Sequence, residues 1–385
     1  MNDREPVYLD HAATTPLHPD VLEAMLPYFT TVFGNPSSVH RFGQEAKTAL
    51  TRARDAMAAR LGCLPAELVF TSGGTESDNM ALFGAALAAA PERRRVVTTT
   101  VEHHAVLHAC EELERLGYEV AYAPVDETGR VDLEALDALV DDKTAVVSVM
   151  FGNNEVGTLQ PIERIGRLAK ERGAAFHVDA VQALGHARID LAALAVDFMS
   201  FSAHKINGPK GIGLLYARRG AKLHPRSFGG NQERKRRAGT ENVAGAVGFA
   251  KAMELACDER DRRAAELLGL KQAMLDTFAA KLPEGAYVVN GHPTECLPHV
   301  LNVSFPGAKT ESILMNLDLA GVAAASGSAC TSGALEPSHV LRAMGLPKER
   351  LESAVRFSFG RGNCLKSVTF AAETVATVVE RLSYK

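Results

Sequence analysis

One stretch decides how this chain of 385 residues is interpreted: V-D-F-M-S-F at 196–201, followed at once by S-A-H-K-I-N-G-P-K-G at 202–211. The first part is apolar and aromatic, which predicts a short buried strand. Lys205 therefore follows a strand end, in a loop rich in glycine and proline. An amine held there loses hydration, which lowers its pKa and favours the neutral form that makes Schiff bases. On lysine statistics alone, an exposed loop lysine is the more frequent alternative.

A carboxylate ends a second predicted strand upstream, because Asp179 lies in F-H-V-D-A-V-Q at 176–182. An aspartate and a lysine at the ends of neighbouring strands can reach opposite sides of one flat ligand. Pyridoxal phosphate needs this arrangement: an amine for its aldehyde and a carboxylate that keeps its pyridine nitrogen protonated. A single aspartate is more often a turn or cap residue, so the pairing with Lys205 carries the argument.

A phosphate site is predicted where the strand L-V-F-T at 68–71 runs into S-G-G-T-E-S at 72–77 and a helix rich in alanine and leucine. Free N–H groups at the start of a helix bind anions. Helix capping explains the turn at least as often, and the spacing fits neither a Walker loop nor a dinucleotide fingerprint. Together with Asp179 and Lys205, the turn makes pyridoxal phosphate the best single explanation.

The composition is that of an ordinary soluble enzyme, with 46% hydrophobic residues, 23% charged residues and a net charge of −4. Nothing in this balance suggests nucleic acid or a membrane as a partner. We expect a cytoplasmic protein, because no apolar run has the length of a signal or membrane segment. The six cysteines form no C-x-x-C motif, and no clustered ligands predict a metal site. His177 and His186 are interpreted as structural.

Predicted strands and helices alternate through the first two thirds of the chain, which indicates an α/β fold with a mostly parallel sheet flanked by helices. Such folds bind ligands at the carboxyl ends of their strands, where the motifs above lie. One helix is predicted from Pro19 to about Thr31, another from a Ser37 or Ser38 cap to Leu61, and a long one at about 241–280. The remaining strands and helices predict a smaller C-terminal α+β domain.

The chain resembles cysteine desulfurases of the NifS/IscS type, in the class V aminotransferase group of fold-type I pyridoxal-phosphate enzymes. The segment S-G-S-A-C at 326–330, followed by L-E-P-S-H-V-L at 335–341, is the most specific and resembles the NifS-like branch. The other motifs run nearly end to end: D-H-A-A-T-T at 10–15, T-S-G-G-T-E-S at 71–77, E-H-H at 102–104, N-N-E-V-G-T at 153–158, H-V-D-A-V-Q at 177–182, S-A-H-K at 202–205, R-A-G-T-E-N at 237–242 and R-F-S-F-G-R at 356–361.

The resemblance implies a homodimer of fold-type I transferases. Each subunit would have a large cofactor-binding domain at 15–258 and a small domain, 1–14 with 259–385, that carries a catalytic cysteine loop. Lys205 would hold the cofactor aldehyde and take the α-proton of the substrate, and Asp179 would pair with the ring nitrogen. His103 would stack on the ring, with His104 as the less favoured alternative.

The resemblance also implies the remaining contacts of the site. Asn154 and Arg356 would hold the substrate carboxylate, for which a guanidinium group is well suited. The cofactor would be bound further by Gly74, Thr75, Gln182, Ser202 and His204, and by Thr240 of the partner subunit.

Cys330 carries the distinctive step in this interpretation. The implied enzyme is a sulfurtransferase that converts L-cysteine to L-alanine and takes the sulfur onto Cys330 as a persulfide, for iron–sulfur cluster assembly. The acceptor would be an iron–sulfur scaffold protein or another sulfur acceptor. Two alternatives stay open at this point: another class V enzyme, such as an aminotransferase or a selenocysteine lyase, or a sulfur-relay component that mainly binds a scaffold.

Overall fold

The computed structural model describes residues 5–327 and 337–383 of the chain. Cys330 therefore lies outside the described residues. The strands, in chain order, are β1 (Val7–Tyr8), β2 (Leu68–Thr71), β3 (Arg95–Thr99), β4 (Glu119–Ala123), β5 (Thr144–Ser148), β6 (Ala175–Asp179), β7 (Phe198–Ser202), β8 (Gly213–Ala217), β9 (Val288–Asn290), β10 (Val300–Ser304), β11 (Val322–Ala323) and β12 (Ala354–Ser358).

The helices alternate with these strands in the first part of the chain. They are α1 (Pro19–Met25), α2 (Pro27–Thr30), α3 (Arg41–Leu61), α4 (Gly74–Ala88), α5 (His104–Arg115), α6 (Leu133–Leu139), α7 (Ile162–Glu171), α8 (Val243–Asp258), α9 (Arg260–Lys281), α10 (Thr310–Leu319), α11 (His339–Ala343), α12 (Lys348–Leu351) and α13 (Leu365–Ser383).

The central sheet has seven strands in the order β2-β8-β7-β6-β5-β3-β4. Its neighbours pair in parallel except around β8, which runs antiparallel to both β2 and β7. Adjacent residues of one strand enter different cores: Val146 packs with α4 and α5, and Val147 packs on the opposite face. Both faces are buried, which explains why these strands are continuous apolar runs. The predicted α/β fold with a mostly parallel sheet is confirmed.

A second group of elements is built from the end of the chain. The sheet β12-β10-β9 is antiparallel. It shares a core with α9, α10 and α13, and Val7 and Leu9 from the start of the chain join that core. In addition, β1 pairs in parallel with β11. The predicted division into 15–258 and 1–14 with 259–385 stays a prediction.

Three helix predictions were wrong in detail. The helix predicted from Pro19 to Thr31 is two helices, because Pro27 has no N–H to continue the first and instead begins α2. The helix predicted at 241–280 breaks at Glu259 into α8 and α9. His40, rather than Ser37 or Ser38, caps α3, since its Nδ1 accepts a hydrogen bond from the Gly43 N–H at 3.3 Å.

Within the part of the chain that the structure describes, every helix is too short or too polar to cross a membrane.

Candidate active site

A cavity of about 830 Å³ opens at the carboxyl ends of the parallel strands, between the central sheet and the C-terminal elements. Its walls include residues from the ends of β6 and β7, from the start of α4, from β12 and from α10. Of the predicted site residues, ten line it: Gly74, Thr75, His103, Asn154, Asp179, Gln182, Ser202, His204, Lys205 and Arg356. Motifs that are far apart in sequence therefore meet in one space.

Lys205 enters this cavity from a short helical turn that follows β7 directly. Its Nζ donates hydrogen bonds to the carbonyl oxygens of Ala12 and Ala13, both at 2.7 Å. Burial lowers the pKa of Lys205 to about 8, and the nearby Arg356 guanidinium lowers it further, against the opposing effect of Asp179. About a tenth of this amine is therefore neutral at pH 7. The neutral form is the one that attacks an aldehyde.

Asp179 lies at the end of β6, where it is opposite Ser200 of the neighbouring parallel strand β7. Its Oδ1 accepts a hydrogen bond from the Val181 N–H at 2.9 Å. Burial raises the pKa of Asp179 to about 7, and the Asp78 carboxylate nearby adds to this rise. Burial and the neighbouring Asp78 destabilise the ionised form of Asp179. A cationic ligand in the cavity, such as a protonated ring nitrogen, would stabilise it.

The start of α4 brings backbone close to the cavity. A Cβ at Gly74 would lie 2.7 Å from Val181 Cγ2, and a Cβ at Gly213 would lie 2.5 Å from the carbonyl carbon of Gly73. Glycine at 213 therefore lets β8 approach the turn, and glycine at 74 lets the start of α4 approach Val181. The first N–H groups of a helix have no partner within it. Beside Ser202 they form a cradle that fits a phosphate group.

His103 caps α5 and lies in the cavity wall, whereas His104 does not. The Nδ1 of His103 accepts a hydrogen bond from the Ala105 N–H at 3.1 Å. Burial lowers the pKa of His103 to about 4, and Lys205 nearby contributes, so the imidazole is neutral. The ring of His104 contacts His108 and His339 instead, with centroid distances of 5.0 and 4.7 Å.

Arg356 extends from β12 and is held by two partners. It donates to Asp10 Oδ1 at 2.8 Å and to the Asn154 carbonyl oxygen at 3.0 Å. Its Nε has no hydrogen-bond partner among residues 5–327 and 337–383. The buried guanidinium therefore keeps donor capacity for an anionic ligand.

Gln182 and His204 are fixed by contacts with the N-terminal segment. Gln182 Nε2 donates to the Ala12 carbonyl oxygen at 2.9 Å, and His204 Nδ1 lies 3.0 Å from Thr14 Oγ1. Thr240 is exposed and does not line the cavity of its own chain. The resemblance assigns Thr240 to the other subunit's site, where Thr240 of the partner subunit would bind the cofactor.

Sequence reasoning assigned no chemistry to several residues of the cavity wall. Asp10 opens the D-H-A-A-T-T motif, and Asp78 lies one helical turn after Gly74, so both had a signal in the sequence. Glu311, Leu314 and Met315 of α10 also line the cavity, but no motif marks them. Within the described part of the chain, no group of three or more His, Cys, Asp or Glu residues is arranged to hold a metal ion.

Comparisons with known proteins identify the family of the chain. Residues 7–369 match the family description Aminotransferase class-V, whose members depend on pyridoxal phosphate. The cysteine desulfurase IscS of Methanosarcina thermophila is 47% identical over 380 residues, which span 99% of this chain and 93% of that protein.

Solved structures give the same result. A NifS-like protein superposes with a TM-score of 0.92 at 37% identity, over 98% of this chain and all of that one. A structure described as SspA in complex with cysteine superposes with a TM-score of 0.80 at 33% identity, over 92% of this chain and 98% of that one. The resemblance inferred from the motifs is therefore confirmed: the chain belongs to the class V aminotransferase family, in its group of cysteine desulfurases.

Proposed function

We propose that this enzyme converts L-cysteine to L-alanine and transfers the sulfur to Cys330, with pyridoxal phosphate as its cofactor. The observation that carries the proposal is the arrangement of one cavity. The amine of Lys205, the carboxylate of Asp179, the start of α4 and the guanidinium of Arg356 all face it. These groups match the aldehyde, ring nitrogen and phosphate of the cofactor and the carboxylate of an amino acid.

Each cofactor group has a proposed partner in the cavity wall. The bound cofactor supplies an electron sink that weakens bonds at the substrate's α- and β-carbons. Lys205 would hold its aldehyde carbon, Asp179 its ring nitrogen and Gln182 its ring oxygen, while His103 would cover the ring face. The phosphate contacts would come from Gly74, Thr75, Ser202 and His204 and from Thr240 of the partner subunit.

Arg356 and Asn154 would position the substrate. Asp10 holds the Arg356 guanidinium in place, so the side chain is oriented before the substrate carboxylate arrives. A bound carboxylate adds hydrogen bonds to a cation that is already desolvated, which makes each of them strong. The related structure described as a complex with cysteine supports a thiol-bearing amino acid as the ligand.

Lys205 would then move the protons, and Cys330 would take the sulfur. The neutral Lys205 amine accepts the substrate's α-proton at Nζ. The Cys330 thiolate attacks the substrate sulfur, so that an S–S bond forms and the C–S bond breaks. The electron pair of the broken bond stays with the carbon skeleton, which becomes alanine after protonation. The persulfide on Cys330 would pass to an iron–sulfur scaffold or another acceptor.

We further propose a homodimer that works in the cytoplasm. Apolar side chains on α1, α2 and the start of α3 are exposed in the single chain, which is the character of an interface. Reduced thiols suit persulfide chemistry, and the five cysteines within the described residues are all free: Cys63, Cys110, Cys257, Cys296 and Cys364.

The mass of the Cys330 peptide tests the proposal directly. After brief anaerobic exposure of the holoenzyme to L-cysteine, we expect this peptide to gain one sulfur atom, and a thiol reductant should remove it. Cys330→Ala should keep the cofactor and stop alanine production from cysteine. Cys364→Ala is the matched control, because that exposed thiol directly precedes α13 and does not line the cavity. An unmodified Cys330 in an enzyme with bound cofactor would favour an aminotransferase instead.

A further inference from the structure

A stacked pair of histidines, His299 and His186, adjoins Gln182. His299, only 2% exposed, comes just before β10, and its Nε2 is 3.2 Å from Gln182 Oε1. The His299 ring stacks on the ring of His186, with centroids 3.7 Å apart and an interplanar angle of 19°. The Nδ1 of His299 has no hydrogen-bond partner among the described residues. This pair takes no part in the reaction proposed above.

The backbone carbonyl of Ala12 determines how the Gln182 amide is turned. A carbonyl oxygen only accepts hydrogen bonds, so the group 2.9 Å from it must be the Gln182 NH₂ group. Oε1 therefore faces His299, and it too only accepts. The His299 Nε2 must then carry the proton of this hydrogen bond.

Burial keeps the His299 ring neutral. Burial lowers the pKa of His299 well below the ordinary value, and His186, His11, Arg263 and Arg356 act in the same direction. With the proton on Nε2, the Nδ1 of the neutral ring is a bare acceptor. This explains how Nδ1 can be buried without a partner, since unpaired acceptors cost less than unpaired donors.

This arrangement leaves the second N–H of the Gln182 amide free for a ligand. One N–H is used by the Ala12 carbonyl, which also accepts from Lys205 Nζ at 2.7 Å. The other N–H remains on a side chain that lines the cavity. Without the donor on His299, Oε1 would be buried and unpaired, and the amide would be held only by its hydrogen bond to the Ala12 carbonyl.

We propose that His299 is a positioning residue: its Nε2–H fixes the Gln182 amide so that the free N–H is directed at the ring oxygen of the bound cofactor. This inference rests on the proposed function, because it assigns the target of that N–H. The ligand chemistry is that of an anionic phenolate oxygen, which a fixed amide donor stabilises.

His299→Phe tests the inference, because it keeps an aromatic ring against His186 and removes the donor. The readout is the pH midpoint of the absorption band of the holoenzyme, which needs no turnover. A donor at the ring oxygen stabilises the deprotonated, more negative form of the bound cofactor. Its loss should therefore raise the midpoint by about one pH unit.

Two further variants separate the hydrogen bond from packing. His299→Gln places an amide nitrogen near the position of Nε2 and should keep the midpoint within about 0.3 units of the wild type. His186→Phe removes the stacking imidazole, which makes no hydrogen bond to Gln182 in the described part of the chain, and should leave the midpoint unchanged. A shift of the same size in His186→Phe as in His299→Phe would overturn the inference.

The double variant provides the decisive comparison. In a Gln182→Ala background, His299→Phe should no longer shift the midpoint, because the residue through which it acts is gone. An equal shift in both backgrounds would contradict a role through Gln182. If wild-type protein incubated with pyridoxal phosphate gives no band of bound cofactor, the proposed function itself fails, which is a different result from an unshifted midpoint.

Discussion

Lys205 shows how position alone prepares a residue for chemistry. It follows the carboxyl end of β7, and burial is the main reason that its pKa falls to about 8. Hydrogen bonds from Nζ to the Ala12 and Ala13 carbonyl oxygens orient the amine without supplying a charge. The same side chain on the surface would be an ordinary cation with a pKa near 10.4.

The rate at which the apoenzyme takes up pyridoxal phosphate should report this pKa. Only the neutral amine attacks the aldehyde, so the rate should rise about tenfold from pH 7 to pH 9 and then level off. Stopped-flow absorbance would measure it. Lys210→Ala, in the same loop but exposed, should keep the midpoint. A rate that climbs about a hundredfold over this range and continues upward would show an amine of ordinary pKa.

Asp78 is a second residue whose protonation is set by burial. It lies on α4, its Oδ1 is 3.5 Å from His177 Nε2, and burial raises its pKa to about 7. A carboxyl group with a raised folded-state pKa binds protons more tightly in the folded state. The ionised Asp78 therefore destabilises the fold increasingly as the pH rises from its unfolded-state pKa toward its folded-state pKa of about 7. Above pH 7 this destabilisation is constant.

Asp78→Asn should remove this pH-dependent cost. Relative to the wild type, the free energy of unfolding of the variant should increase by about 1–3 kcal/mol between pH 4 and pH 8. Urea unfolding of the apoenzymes at both pH values would measure the difference. Asp55→Asn, at an exposed position of α3, is the control and should show no such dependence. A gain that is equal at both pH values would contradict the prediction.

At the scale of residues, the sequence predicts the site residues that lie directly at or after a predicted strand end. Lys205, Asp179 and Gly74 follow strand ends, and parallel strands bring their carboxyl ends together. Asp10 could not be assigned in this way, because its partner Arg356 lies almost at the other end of the chain. Asp78 was missed because its position on α4 does not by itself indicate that it is buried. Its burial results from the packing of α4 on β6 and β7.

At the scale of elements, Glu155 connects the two ends of the segment that contains Cys330. The Ser338 hydroxyl donates to the buried Glu155 carboxylate just before α11 begins. On the other side, a Cβ at Gly327 would overlap that same carboxylate. Burial raises the pKa of Glu155, and the Ser338 hydrogen bond works against this rise. One side chain of the N-N-E-V-G-T motif thus contacts both flanks of residues 328–336.

Gly327→Ala should disturb this contact and slow the transfer of sulfur to Cys330. The added methyl group must displace either Gly327 or Glu155, and a misplacement of about 1 Å costs ten- to a hundredfold in rate. Single-turnover persulfide formation would measure the loss, while the cofactor spectrum should stay that of the wild type. Gly269→Ala in α9 is the matched control, because a Cβ there meets no described atom within 4 Å. An unchanged transfer rate would contradict the role of this contact.

Element boundaries were less predictable than element types. The strands predicted at 68–71, at 196–201 and before Asp179 exist as β2, β7 and β6, whereas β8, G-L-L-Y-A at 213–217, was not predicted. The break at Pro27 follows from its missing N–H, and the break at Glu259 separates α8 and α9, which pack in different cores. His40 caps α3 with a ring nitrogen, which preferences for serine and aspartate do not anticipate.

At the scale of the whole molecule, the cavity exists because the chain ends meet. Leu9 and Val7 enter the core of the C-terminal elements, and β1 pairs with β11. The same N-terminal segment then supplies Asp10 to Arg356 and the Ala12 carbonyl to Lys205. No periodicity in the sequence encodes this closure, because the pairing partners are about 300 residues apart. The family motifs predicted it only by resemblance.

The exposed apolar surface of the N-terminal helices leads to the last prediction. Phe33 and Phe42 are 68% and 51% exposed, and their rings stack at 5.6 Å. Thr240, proposed to reach the cofactor phosphate of the partner subunit, is exposed in the single chain as well. If a second copy covers both, then breaking the apolar contact should also weaken cofactor binding, although neither phenylalanine lines the cavity.

Phe33→Glu combined with Phe42→Glu should therefore convert the proposed dimer to a monomer and lower the affinity for pyridoxal phosphate about tenfold or more, because a hydrogen bond to an anionic phosphate is lost with the partner. Analytical ultracentrifugation would give the mass, and absorbance titration the affinity. Leu116→Glu, 47% exposed after α5, is the control and should change neither. A variant that stays dimeric would place the interface elsewhere on the surface. A monomer that binds the cofactor as tightly as the wild type would show instead that each subunit completes its own phosphate site, and would remove Thr240 of the partner subunit from it.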